Sequence, residues 1–138
     1  MTAMTGSEMD DLVRRYFEEY RVLFVSGTRP ERLALRDAED RASDALHDML
    51  HISKEAETAW PFILALVDSA PSDEALAFVA AGPLEDLIQM YGDDFADRMV
   101  ERARRDARFR SALRDVWGWE RVSEPLRNRV FELLGAAP

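Results

Sequence analysis

EMDDLVRRYFEEYRVLF, residues 8–24, decides the fold class. Leu12, Val13, Tyr16, Phe17, Tyr20, Leu23 and Phe24 recur at steps of three and four, so a helix gathers them onto one wide apolar face. Arg14 with Glu18, and Arg15 with Glu19, stand four apart on the opposite side, where ion pairs support an exposed helical surface. An amphipathic helix of this kind has to dock onto other helices.

The same spacing runs through the rest of the chain. Gly27 interrupts it, and Thr28-Arg29-Pro30-Glu31 reads as a capping box with proline in the first turn. The next helix is expected to reach about Ile52, with Leu35, Ala38, Ala42, Ala45, Leu46, Met49 and Ile52 as a small-residue inward stripe. Pro61 favours a start near Thr58 for the helix after it, with Trp60, Ile63, Leu64 and Val67 on one face and Phe62 and Leu66 on the other. Ser72 caps a short helix that Gly82 ends, and Pro83 opens one that stops at Gly92. Asp93, Asp106 and Ser123 each begin another, the last ending at Gly135. No stretch alternates at period two, so no sheet is expected. The reading is an all-α fold of seven or eight short helices stacked as antiparallel hairpins, resembling a short solenoid of the HEAT kind. One domain spans residues 1–138, with a disordered tail over 1–7, two N-terminal helices over 8–52 and a helical stack over 58–135.

Ala59-Trp60, DEALAFV (73–79), GPLEDL (82–87) and Val116-Trp117 together resemble a family of small bacterial proteins known only as a domain of unknown function. The resemblance covers the C-terminal two-thirds and implies no activity, substrate or catalytic residue.

Composition narrows the function classes. The chain has 138 residues, 47% of them hydrophobic and 33% charged, which is globular composition. The absence of cysteine excludes disulfides, thiolate zinc sites and cysteine nucleophiles. The run from Ala59 to Val67 is too short to span a bilayer, and MTAMTGSEMDD carries no signal-peptide pattern, so a cytoplasmic location without membrane association is expected. All basic residues but Lys54 are arginine, a usage that together with abundant alanine suggests a GC-rich bacterial genome. A net charge of −9 disfavours nucleic acid as a general partner.

Three constellations remain. His47 and His51 lie four apart on one helix face with Asp44 and Asp40 on the same strip, a set that could hold a metal or, with Asp48, serve metal-dependent catalysis. Set against this, the strip faces solvent and offers no identifiable further ligand, so no metal, cofactor or catalytic residue is expected. Charge is segregated: ten acids and no base from Glu55 to Asp97, then seven arginines against Glu101 and Asp106 from Arg98 to Arg114. Arg98, Arg102 and Arg105 form one ridge. The acids, Glu85 and Asp86 among them, either present a surface to a cationic partner or stabilise helix starts. Trp117 and Trp119 flank Gly118, and either mark a binding hot spot or close the last helix onto the core.

The leading expectation is a non-enzymatic protein–protein interaction module for a basic partner, in one form an immunity- or antitoxin-type protein. A metal-dependent enzyme built on His47 and His51 is the second reading, and nucleic-acid binding through the arginine ridge the third. The oligomeric state is not legible.

Overall fold

Thr5 opens the first helix, its hydroxyl accepting the Glu8 N–H at 3.1 Å. The structure is a computed structural model that describes residues 4–135. The expected tail over 1–7 therefore lies outside the described residues at 1–3 and is helical from Gly6 onward.

The described residues are all-α, with no strand: α1 (Gly6–Tyr20), α2 (Arg29–Asp37), α3 (Ala42–His47), α4 (Ala56–Ser69), α5 (Asp73–Val79), α6 (Glu85–Arg105), α7 (Ala107–Arg114) and α8 (Glu124–Leu134). Six of these segments reach eight residues, where seven or eight separate short helices were expected. The difference comes from false stops. Gly82 and Pro83 lie in a widened turn, Ala80–Leu84, in which the Glu85 N–H reaches back five residues to the Ala80 carbonyl. The extra residue in that turn absorbs the N–H that proline lacks, and the chain runs on into α6. Gly92 is mid-helix as well. A Cβ there would stand 2.8 Å from Leu126 Cδ2, so the missing side chain lets α8 come close to α6.

The chain divides into two compact units, Met1–Ala65 and Leu66–Pro138, with the division inside α4. In the first unit α1 packs on α3, burying Val13, Tyr16, Val22, Ala42, Leu46 and Leu50. The expected continuous helix from Thr28 to Ile52 is broken at residues 38–41. The break is stabilised from α1: the buried Glu19 carboxylate accepts the Ala42 N–H at 2.6 Å, the Ser43 N–H at 3.2 Å and the Ser43 hydroxyl at 2.9 Å. Arg41 supplies no cap of its own, so a side chain 23 residues upstream caps α3. Glu19 thus does not pair with Arg15. Both Arg14 and Arg15 turn to Asp11, and Glu18 pairs with Arg21 instead of Arg14.

Two more widened turns shift the buried face. Over Arg21–Ser26 and Asp48–Ile52 an added residue per turn rotates the succeeding side chains by roughly 100°. Val22 and Leu50 are therefore buried, while Phe24 (64% exposed) and Ile52 (68%) point outward instead of inward. Helix α2 buries no residue. It is held by the Thr28/Glu31 capping box, by the Arg21–Glu31 ion pair at 3.3 Å and by the Arg32 guanidinium on the Gly27 carbonyl.

Helix α4 starts at Ala56, so Pro61 falls inside it; Phe62, Ile63, Leu66 and Val67 are fully buried, whereas Trp60 and Leu64 are half-buried. In the second unit α6 packs on α7 and α8 around Leu87, Ile88, Met99, Phe109, Leu113 and Leu126. Its caps agree with the sequence: Ser72 on Ala75, Asp106 on Arg108 and Phe109, Ser123 on Leu126, and Gly135 in the left-handed region after α8.

Glu19→Ala should lower the stability to urea by about 2 kcal/mol, because two buried amides lose their acceptor, with Glu19→Gln intermediate. The Thr28 N–H, followed by the Thr28 side chain and Arg21, holds the Glu31 carboxyl below the ordinary glutamate range. That contribution is complete above the unfolded pKa and fades as the pH falls through the folded one. In α1 the Asp11 and Glu18 carboxyls are lowered too, chiefly by Arg14 and Arg21, but α1 is also packed on α3 whereas α2 buries no residue. Hydrogen-exchange protection of the α2 amides, corrected for intrinsic rates, should therefore drop before that of α1 on acidification.

Candidate functional site

Helix α3 and the turn after it place His47 and His51 with their rings stacked, centroids 4.4 Å apart and 26° from parallel. The acids expected beside them are elsewhere or engaged. Asp40 precedes α3, in the break after α2. Asp44 is paired with Arg41 at 3.0 Å, and Asp48 accepts the Ser53 hydroxyl at 2.6 Å. Among the described residues no group of three or more histidine, cysteine, aspartate or glutamate side chains is disposed to hold a metal ion.

The arginines after residue 97 are mostly turned toward their own chain. Arg98 stacks its guanidinium 3.9 Å over the Phe95 ring. Arg102 grips both oxygens of Asp68, at 3.1 and 3.2 Å, and donates its Nε–H to Asp106 at 2.9 Å. Three others cap helix ends. Arg108 donates to the Val67 carbonyl at 2.6 Å and to the Ala70 carbonyl, closing α4. Arg110 reaches the Ala103 carbonyl near the end of α6 at 2.7 Å, and Arg114 the Leu134 carbonyl at the end of α8 at 3.2 Å. Helix-end carbonyls have no partner within the helix, and a planar fork with several N–H groups can serve two of them at once. Arg105 remains exposed at the end of α6.

The acidic block fares differently. Asp73 and Glu74 do lie in the first turn of α5, but Asp93 and Asp94, expected at a helix start, lie in the middle of α6. Asp93 accepts the Ser123 hydroxyl at 2.6 Å and Asp97 meets Arg129 at 2.9 Å. In the first unit a surface groove of about 640 Å³ is lined by Glu39, Asp40, Asp44, Asp48 and Glu55. Its two arginines, Arg15 and Arg41, are already held by Asp11 and Asp44. This groove is not legible in the sequence, because it depends on the break that separates α2 from α3.

The two tryptophans part company. Trp119 is buried, edge-on to Phe131 at 5.8 Å, with its indole N–H buried and lacking an acceptor among the described residues. Trp117 is 75% exposed. Its backbone N–H donates to Glu85 at 3.0 Å, so Glu85 is a neighbour of Trp117. The arginine ridge is not: along α6, Arg98 and Arg105 stand about 20 and about 30 Å from Glu85. The residues singled out for partner binding thus do not form one patch: Glu85 and Trp117 meet at the start of α6, Arg102 and Arg105 lie near its end, and Trp119 is buried.

Arg108→Ala should cost about 2 kcal/mol of stability in urea, since two carbonyls lose a charged donor, and Arg108→Lys should recover less than half of it.

Among the described residues no helix is long and apolar enough to cross a membrane. No curated protein and no solved structure matches the chain. A family model does, over residues 35–136, reaching from inside α2 almost to the end of the chain and including the DEALAFV and GPLEDL segments. By that match the chain belongs to a family of unknown function, DUF6869.

Proposed function

We propose that this chain is a non-enzymatic interaction module that takes a cationic protein through its acidic surface. The observation that carries the reading is where the arginines go. Arg108, Arg110 and Arg114 are bonded to backbone carbonyls and Arg102 to two aspartates, so these donors are occupied within the chain and are not presented to an acidic partner. The net charge of −9, which already counts every arginine, gives the chain a negative field toward solvent. A field of one sign speeds encounter with a partner of the opposite sign and rejects partners of like sign. The groove bounded by Glu39, Asp40 and Glu55 concentrates it. Neutralisation of a basic protein, as immunity or antitoxin proteins perform it, is the concrete role this surface suits.

Affinity capture from the source cells should recover a protein of basic isoelectric point at about 0.1 M salt and lose it at about 1 M, as the screening length falls from about 10 Å to about 3 Å. With that partner purified, the triple variant Glu39→Lys, Asp40→Lys, Glu55→Lys should slow association by at least about tenfold. Recovery of no partner, or of acidic partners that resist salt, sinks the reading.

A further inference from the structure

We infer that Trp117 is the anchor of the partner interface and that it takes a guanidinium or ammonium side chain of the cationic partner; this rests on the reading just proposed and assigns it a contact point. A tryptophan left outside its own fold is usually mobile, and the distinguishing feature here is that the backbone carrying it is fixed. Glu85 and Gln89, one turn apart on α6, hold the chain on both sides of the indole: the Glu85 carboxylate accepts the Trp117 N–H at 3.0 Å, and the Gln89 amide donates to the Gly118 carbonyl at 2.9 Å. Gly118 adopts φ of 80°, a left-handed conformation that a residue with a side chain enters only at a cost. A Cβ there would also meet the Arg121 guanidinium and the Gln89 amide, so both side chains pack against the turn at Gly118.

Trp117 has nothing to do for the core. Trp119, two residues on, fills that role against Phe131. Holding a large aromatic ring outward on an immobilised turn lowers the entropy lost when a partner covers it, which is how binding anchors gain their effect. The occupant is set by charge. Glu85 lies under the loop and the exposed Asp115 precedes it; Arg121, whose guanidinium lies beside Gly118, has the Glu120 carboxylate 3.7 Å away as a counter-charge, and Arg114 donates to Leu134. An indole face attracts cations, and carboxylates beside it strengthen that preference over an uncharged apolar occupant.

The test uses the full chain, labelled with 15N, and a synthetic oligo-arginine peptide as the probe. The three tryptophans give three indole N–H resonances, and Trp117→Phe identifies the one of interest by its loss. On titration the Trp117 resonance should move furthest, and Trp117→Ala, which leaves the fold intact because the ring is exposed, should weaken peptide binding by about five- to thirtyfold. If the peptide binds but the Trp117 resonance stays still and Trp117→Ala binds as tightly as the unaltered chain, the anchor is wrong and the acidic-surface reading survives. If the peptide binds neither protein at low salt, both fall together.

Discussion

Every α-helix ends with carbonyls that its own ladder cannot satisfy, and in a chain with connections this short few loop amides are available to meet them. Residue 106 alone separates α6 from α7, and residues 70–72 alone separate α4 from α5. The chain answers with guanidinium groups: Arg108 on α4, Arg110 on α6 and Arg114 on α8. A guanidinium stays charged at any physiological pH and donates in a fixed plane, so it can bridge two carbonyls where an ammonium serves as a point charge. At the α6–α7 junction Arg110 meets the carbonyls that end α6 while Asp106 accepts the first amides of α7.

That structural use of arginine also shapes the surface. A sequence with a basic block after an acidic one invites the picture of two opposed patches, one for each kind of partner. The basic block is instead largely bonded inside the second unit, where each guanidinium keeps its charge but offers fewer free donors than composition suggests.

Apolar periodicity and helix caps are legible in the sequence. Thr28, Ser72, Asp106, Ser123 and Gly135 do what their residue types predict, because caps act over three residues and need no tertiary knowledge. Glycine and proline are less transparent. Gly92 is an approach point between two helices, and Pro83 is accommodated by a widened turn, outcomes that depend on neighbours distant in sequence. Widened turns also obscure the facing of Phe24 and Ile52, since a shift of one residue leaves no mark on composition. Of the candidate site, the exposure of Trp117 is one of two outcomes its sequence allows, but the restraint of its loop by Gln89 is not visible there, because a glutamine mid-helix gives no hint that it reaches across 29 residues.

The capping of α3 has a bearing on where this protein can be divided. The family match begins at Leu35, in the interior of α2, whereas the carboxylate that satisfies the Ala42 and Ser43 amides belongs to α1, upstream of that boundary. Inheritance and mechanical integrity are therefore measured by different lengths of chain. A segment cut at the family boundary would lose that acceptor, and the first amides of α3 would be left to water.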